Sequence, residues 1–365
     1  AFGLHDTYSK TGGCQPGQPP SLLCGHGTGE LFEDDRLGIR QAFCEQFPAD
    51  CALRAEVPGW CPASRGYVQT GDFDLDGRTD LLCHEVLRGS QRVLLATENG
   101  FVDGALQGYV NTATPFCAGA SRGLVIGDLN GDGRADLICH DQATGAIETA
   151  FTRDGVPFAS VTGRHPVGWC AGSNRSLQVG DFNSDRHADL FCRRAGASGT
   201  DLLINLANSA GAFGRGFAPQ QGWCGDVSMA TLVVDLNRDG SSDVYCRNPA
   251  APTVALATGT GQLGTVYSFP YVVWQTGDVS GDGQIDLMLW WPTYSGAVYG
   301  NAGLYPGVSR LWLSSFCKGA GDVLLLADVN RDGAEDYVCH QSSTGTIKVM
   351  RQPSPLSATA LARRP

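Results

Sequence analysis

Short apolar runs alternate with polar, glycine-rich stretches along most of this chain. The run 67–70 precedes one polar stretch and the pair 81–82 follows it, while 123–126 and 137–138 flank the next. Runs of this length are typical of strands rather than of helices. The pattern therefore predicts a series of β-hairpins with polar tips.

The polar tips share one acidic pattern, Asp-x-Asp/Asn/Ser-x-Asp-Gly-x-x-Asp, which we number as loop positions 1 to 9. Six copies begin at Asp72, Asp128, Asp181, Asp235, Asp278 and Asp328. Their starts are 56, 53, 54, 43 and 50 residues apart. A period in this range is typical of an array of similar supersecondary units.

Carboxylates that converge in a tight loop repel one another unless a cation lies between them. Calcium takes oxygen ligands, which alternate side chains and the carbonyl of position 7 can supply. The sequence therefore predicts up to six Ca²⁺ sites. The candidate ligands in the first three loops are Asp72, Asp74, Asp76, Arg78, Asp80, Asp128, Asn130, Asp132, Arg134, Asp136, Asp181, Asn183, Asp185, His187 and Asp189. In the last three they are Asp235, Asn237, Asp239, Ser241, Asp243, Asp278, Ser280, Asp282, Gln284, Asp286, Asp328, Asn330, Asp332, Ala334 and Asp336.

The loops differ from an EF-hand, which needs a glutamate at position 12 and helices on both sides. Position 12 is cysteine in five loops and Leu289 in the fifth. Position 6 is glycine, which permits a left-handed backbone, except that the third loop has Arg186. We expect the third loop, and the fifth with the neutral Ser280, to bind calcium more weakly.

Composition narrows the classes of partner. The chain has 365 residues, 49 of them glycine, and a net charge of −11. No apolar run reaches the length of a membrane span, and the negative charge argues against a nucleic acid partner. Six calcium ions would bring the charge to about +1, so the acidity is interpreted as metal ligands.

Ten of the 14 cysteines follow a rule. Each pair lies 22 residues apart and symmetrically about an acidic loop, in the pairs Cys61/Cys83, Cys117/Cys139, Cys170/Cys192, Cys224/Cys246 and Cys317/Cys339. This spacing predicts one disulfide per repeat. In the fifth repeat both cysteines are absent together, with Tyr267 and Leu289 at the counted positions. Zinc would need close Cys-x-x-Cys pairs, which the chain lacks.

The remaining cysteines, Cys14, Cys24, Cys44 and Cys51, allow three pairings, of which the nearest-neighbour one is favoured. So many bridges predict an oxidising compartment and a secreted protein. The chain also begins at Ala1, as a processed protein would.

One repeat can be followed from Cys117 to 161. Strands are predicted at 124–127, 136–140, 146–151 and 156–161, and four strands in about 50 residues describe a propeller blade. The acidic loops, with the glycine that precedes four of them at Gly71, Gly127, Gly180 and Gly277, resemble FG-GAP/VCBS repeats. Val234 and Ala327 depart from that glycine.

This resemblance covers residues 60–350 and implies an all-β propeller of six blades, or seven if the N-terminal segment forms one, with calcium in its loops. The family includes integrin α-subunit propellers, extracellular lectins and polysaccharide-active proteins, so it does not by itself define a function. Residues 1–60 are predicted to be a separate cysteine-rich segment, 61–350 the propeller repeats, and 351–365 a tail. The N-terminal segment could close the ring, form a degenerate blade or act as an assembly arm.

Few residues suggest catalysis. His84, His140 and His340 follow the second cysteine of their repeats, where Arg193 and Arg247 occur in others, which favours a repeated structural contact. The aromatic residues before the first cysteine are interpreted as wedges between blades or as sugar platforms, at Trp60, Phe116, Trp169, Trp223 and Phe316. The fifth repeat is unusually aromatic, with Trp274, Trp290, Trp291 and Trp312.

Three functions remain after sequence analysis. The first is a non-catalytic extracellular binding or adhesion module for glycans or for a protein ligand. The second is a structural subunit that assembles head to tail into a homopolymer through a terminal segment. The third is a polysaccharide-active enzyme.

Overall fold

The computed structural model describes residues 55–351, apart from 63–65, 99, 102–109, 112–114, 154–162, 166–167, 197–200, 217–219, 222, 270–271, 280, 282, 284, 292–293, 300–308, 313–315 and 318. The described residues form strands that assemble into six sheets. The first strands in the chain are β1 (Ala55–Val57), β2 (Gly66–Gly71), β3 (Asp80–Glu85), β4 (Ser90–Leu94) and β5 (Val110–Asn111). Next come β6 (Arg122–Gly127), β7 (Asp136–Asp141), β8 (Ala146–Ala150) and β9 (Gly163–His165).

The remaining strands repeat this order. The third sheet has β10 (Arg175–Gly180), β11 (Asp189–Arg194), β12 (Asp201–Ala207), β13 (Phe213–Gly216) and β14 (Gln220–Gln221). The fourth has β15 (Ala230–Val234), β16 (Asp243–Arg247), β17 (Thr253–Ala257) and β18 (Leu263–Ser268). The fifth has β19 (Val273–Gly277), β20 (Asp286–Trp291), β21 (Tyr294–Tyr299) and β22 (Ser309–Trp312). The sixth has β23 (Val323–Ala327), β24 (Asp336–Gln341) and β25 (Thr346–Met350).

Each sheet is an antiparallel meander, and the second strand is buried on both faces. In β3 all six residues are buried. Leu81 and Cys83 face a core shared with the sixth sheet, whereas Leu82 faces a core shared with the second. Because successive side chains of a strand point to opposite faces, a strand enclosed on both sides reads as a continuous apolar run.

The sheets are joined by hydrophobic cores that lie between neighbours. Separate clusters unite the first sheet with the second, the second with the third, and so on to the fifth with the sixth. A further cluster unites the sixth sheet with the first, through Val338 and Val349 on one side and Val68 and Leu94 on the other. The arrangement is a β-propeller, so the all-β propeller prediction is confirmed.

The N-terminal segment contributes a strand to the last sheet. β1 pairs antiparallel with β25, with Val57 opposite Ile347. The sixth sheet therefore obtains its fourth strand from the beginning of the same chain. Residues 1–54, which include four cysteines, lie outside the described residues, as does the tail from 352.

The five predicted disulfides are present, each between cysteines 22 residues apart. The second cysteine occupies the same register in its sheet, with Cys83 opposite Val68 and Cys139 opposite Leu124. Each bridge joins the segment that precedes an inner strand to the strand beside it. Bridges in this number are typical of proteins of oxidising compartments. No helix of the described residues is long and apolar enough to cross a membrane.

One prediction about local structure lies outside the described residues and another was wrong. The predicted strand 156–161 is among the residues that the structure does not describe, and the fourth strand described in the second sheet is Gly163–His165. Tyr267 does not stand where the missing cysteine would be, because it lies within β18 with 48% of its surface exposed. The count failed because the fifth repeat lacks most of the segment that carries the first cysteine elsewhere.

Candidate metal centres

The acidic loops connect the inner strand of each sheet to the second strand, as the hairpin prediction required. In the first loop, one oxygen each from Asp72, Asp74 and Asp80 lie within 4.8 Å of one another. In the described part of the chain, this loop alone brings three carboxylates so close. It is also the loop with aspartate at position 3, where the others have asparagine or serine.

The loop backbone turns left-handed at two positions, not one. Position 6 has positive φ, as predicted, in Gly77, Gly133, Arg186, Gly240, Gly283 and Gly333. Position 4 has it as well, in Leu75, Gly131, Ser184, Arg238, Gly281 and Arg331. Sequence reasoning missed position 4 because its residue type varies.

The carboxylate at position 1 holds this turn together. Asp72 accepts hydrogen bonds from the backbone N–H groups of Leu75 at 2.7 Å and Gly77 at 3.0 Å. The N–H of position 6 donates to the same carboxylate in four further loops. These local hydrogen bonds fix the position of the candidate ligand at position 1. They recur from loop to loop, which explains why the spacing of the acidic residues repeats so closely.

The carboxylate at position 9 is buried, and it has a structural role in addition to the predicted one. Asp80 is fully buried and accepts backbone N–H groups from Phe73 at 3.0 Å and Ala96 at 2.7 Å. Burial, with a smaller contribution from the neighbouring carboxylates, raises its pKa to about 8. The same burial raises the pKa of Asp136 and Asp189 to about 7.

This donor set suits a hard cation. Oxygens from three aspartates converge, and one of these aspartates lies in an environment that disfavours its negative charge. A divalent ion beside them would neutralise that charge. At position 5, Asp76 forms an ion pair with Arg78 at 2.5 Å, and Asp185 lies 3.0 Å from the ring of His187. Ser280, Asp282 and Gln284 of the fifth loop lie outside the described residues.

The loops are linked to one another around one face of the propeller. The N–H of position 8 donates to the carbonyl of position 1 in the preceding loop. This bond is 2.5–2.8 Å long in five pairs, Ala135 to Asp72, Ala188 to Asp128, Ser242 to Asp181, Glu335 to Asp278 and Thr79 to Asp328. The last pair joins the first loop to the sixth. Backbone hydrogen bonds therefore also link neighbouring candidate sites at the junction between the first and last sheets.

Close packing between neighbouring loops explains the glycine that precedes four of them. A Cβ on Gly71 would lie 2.6 Å from the Cβ of Ala135 at position 8 of the next loop, and one on Gly127 would lie 2.8 Å from that of Ala188. At Gly277 the space is filled by the carboxylate of Glu335. The glycine therefore allows neighbouring loops to approach, which the sequence alone did not reveal.

Comparison with known proteins agrees with this architecture. Residues 65–139, which span the first two loops, match the family model described as FG-GAP-like repeat. The first two repeats of this propeller are therefore FG-GAP-like repeats. The resemblance inferred from the acidic loops is thereby confirmed. No curated protein sequence matches the chain.

Two solved structures are similar to this propeller in fold. A lectin from Agrocybe aegerita, described as recognising non-reducing terminal N-acetylglucosamine, is 18% identical with a TM-score of 0.53, over 79% of this chain and 80% of the lectin. The Photorhabdus luminescens Tc holotoxin pore is 15% identical with a TM-score of 0.51, over 82% of this chain. The match spans only 15% of the toxin chain.

The face of the propeller opposite the acidic loops carries a second set of links between sheets. His140 lies 3.3 Å from the carbonyl of Trp169, Arg193 donates to the carbonyl of Cys224 at 2.9 Å, and His340 contacts that of Cys61. The residue after the second cysteine thus contacts the cysteine segment of the next sheet. The interpretation of these positions as repeated contacts is supported by this geometry.

Aromatic residues before the first cysteine act as wedges. Trp60 and Phe116 are buried in the cores between sheets. Trp169, Trp223 and Phe316 pack against the corresponding clusters further along the chain. This packing favours the structural interpretation over a sugar platform at these five positions.

Proposed function

We propose that this protein is an extracellular, calcium-stabilised binding module that recognises glycans without catalysing a reaction. Its fold is similar, along four fifths of both chains, to a lectin described as recognising a terminal N-acetylglucosamine. That similarity is the observation that supports glycans as the ligand class. The five disulfides support an oxidising, extracellular setting.

Calcium is proposed to stabilise the ring and to take no part in chemistry. The cluster of Asp72, Asp74 and Asp80 supports this assignment, because its oxygens lie close enough to share one ion. When bound, the ion would neutralise the loop carboxylates. Six sheets that each share a core with the next further support a single closed ring of six blades.

Removal of calcium tests the metal assignment. We expect the melting temperature to fall markedly in chelator and to recover when calcium is restored, because a ligand that binds only the folded state stabilises it. Asp74→Asn should weaken calcium binding measured by calorimetry. Glu56→Gln removes an equal charge from a half-exposed side chain of β1 that pairs with Lys348 at 4.0 Å, and it should leave calcium binding unchanged. An unchanged melting curve in chelator contradicts calcium binding.

A glycan array tests the ligand class. The calcium-loaded protein should bind defined oligosaccharides that it does not cleave, as judged by mass spectrometry of the recovered sugars. Absence of binding across the array contradicts the lectin-like function. Cleavage products would instead indicate an enzyme.

The structure favours neither alternative function. Head-to-tail assembly would use a terminal segment to pair with the next molecule, and here β1 from the N-terminal segment pairs with β25 of its own chain. Catalysis was considered for the repeated histidines, and His140 and His340 contact backbone carbonyls of the next sheet.

A further inference from the structure

The junction between the fourth and fifth sheets differs from the other described junctions. Elsewhere, eight to ten residues connect the outermost strand of one sheet to the inner strand of the next, as in 112–121 and 313–322. Here only 269–272 connect β18 to β19. The missing residues are those that carry the aromatic wedge and the first cysteine. At this junction the described residues therefore include no aromatic wedge and no cysteine bridge on the face opposite the acidic loops.

Arg247 shows the consequence of this shorter connection. It follows the second cysteine of its sheet, as His140 and Arg193 do, but the next sheet offers no cysteine segment to contact. Its guanidinium instead lies over the ring of Trp274, 4.6 Å from the ring centroid. Among the described residues, no carboxylate lies within salt-bridge distance of Arg247. Its Nη1 donates to the Trp274 carbonyl at 3.5 Å, and its other N–H groups have no hydrogen-bond partner among the described residues.

Trp274 is presented to solvent by a β-bulge. Val273 pairs with Leu289 and Gln275 pairs with Met288, so Trp274 is an extra residue in β19. Bulges redirect side chains and are frequent beside binding sites. Half of Trp274 is exposed, whereas Trp60, the aromatic wedge of the first repeat, is only 4% exposed.

Tyr245 of the fourth sheet supports the backbone beside the bulge. The hydroxyl of Tyr245, a buried residue, accepts the N–H of Val273 at 3.0 Å. The Tyr245 ring also packs edge-on against Phe269, with centroids 5.5 Å apart. Tyr245 of the fourth sheet thus contacts both ends of the short connection, Phe269 where it begins and Val273 just after it. An aromatic platform held in this way loses little conformational freedom on binding a ligand.

We infer that Trp274 and Arg247 form a glycan-binding site at this junction. The exposed face of Trp274 suits the apolar face of a pyranose ring, and the guanidinium donates hydrogen bonds to a sugar hydroxyl or carboxylate. A cationic ligand is disfavoured because the positive charge of Arg247 lies 4.6 Å from the centre of the Trp274 ring and would repel it. This inference rests on the proposed glycan-binding function and gives it a location.

The test uses the full-length, calcium-loaded protein on an array of neutral and uronic-acid-containing oligosaccharides. Trp274→Ala and Arg247→Ala should each weaken binding of the recognised glycans by about tenfold or more, with melting temperatures close to that of the parent protein. Arg193→Ala is the matched control, since that arginine donates to the Cys224 carbonyl at the preceding junction. It should lower the melting temperature and leave glycan binding unchanged.

The outcomes separate this inference from the proposed function. Undiminished binding by both Trp274→Ala and Arg247→Ala overturns the location while glycan recognition stands. A parent protein that binds no glycan on the array overturns both. A preference for uronic-acid-containing sugars that Arg247→Ala abolishes would identify the carboxylate as the group that Arg247 recognises.

Discussion

Arg186 occupies a backbone conformation that a side chain makes unfavourable. Its φ is 68°, at loop position 6, where the other five loops have glycine. A non-glycine residue in this region costs about 1–2 kcal/mol, partly offset because glycine loses more chain entropy on folding. The third loop keeps the shape of the others because its hydrogen bonds to Asp181 override this cost.

We expect Arg186→Gly to raise the free energy of unfolding by about 0.5–1 kcal/mol, measured by urea denaturation in chelator. The reciprocal change Gly333→Arg should lower it by a similar amount. Gly333 is suitable because its φ is 86° and an added Cβ would meet no atom within 4 Å. A less stable Arg186→Gly variant would show that the arginine side chain makes a compensating contact.

His84 should make stability depend on pH. Its side chain is fully buried, and burial lowers its pKa to about 4, whereas an unfolded chain keeps the ordinary value near 6.5. The unfolded state therefore binds more protons between these two values. The stabilisation is complete above pH 6.5 and is lost as the pH falls towards 4, by up to roughly 3 kcal/mol.

His84→Gln removes this titration. The free energy of unfolding of the parent protein should fall more steeply than that of the variant between pH 7 and pH 4.5, as followed by denaturant titration. Between pH 7 and pH 8 the difference between the two proteins should stay constant. Parallel curves over the whole range would exclude His84 as the source.

At the scale of the element, the contact between neighbouring loops depends on the inner strand ending in a small residue. β2 ends at Gly71, and Ala135 of the next sheet lies against it. The hydrogen bond from Ala135 to the Asp72 carbonyl, 2.8 Å long, requires that approach. Packing at this junction thus couples the end of a strand to a candidate calcium ligand.

Gly71→Ala should lower the free energy of unfolding by about 1–3 kcal/mol, because the new methyl group overpacks the junction. Ala135→Gly in the same chain should restore much of that loss, and a double-mutant cycle measures the coupling. Gly123→Ala is the control, since an added Cβ there meets nothing within 4 Å. Additive effects of the two changes would contradict direct packing of Gly71 on Ala135.

At the scale of the whole molecule, closure joins two ends of the chain that are distant in sequence. β1 and β25 are separated by 288 residues, and His340 contacts Cys61 across the same junction. A loop of this length carries a large entropic cost of closure. The core shared by the sixth and first sheets, with Trp60 and Val57 inside it, offsets that cost.

Removal of residues 1–57 should lower the melting temperature and promote self-association, because it exposes the edge of β25. Removal of residues 1–54 leaves β1 in place and provides the reference for both properties. Scanning calorimetry and light scattering of the two truncated proteins measure both effects. Equal behaviour would show that β1 contributes little to closure.

The sequence by itself determined the features that depend on local spacing. Hairpins, acidic tips and disulfides all involve residues within about twenty positions of each other, so one repeat contains the information for each. The glycine requirement at position 6 belongs to the same class, because it concerns a single backbone angle. The regular spacing of the cysteines about each loop placed the missing first cysteine at Tyr267. That prediction failed because the connection in the fifth repeat is shorter than in the others.

Only the tertiary structure decided how the sheets meet. The contact of Ala135 with Gly71, the burial that shifts the pKa of His84, and the pairing of β1 with β25 join residues from different repeats or opposite ends of the chain. The exposure of Trp274 likewise depends on a bulge and on a connection shorter than those at the other described junctions. The physical reason is that these features arise from packing between sheets, and each sheet's own pattern of residues specifies its fold without specifying which atoms its neighbour presents.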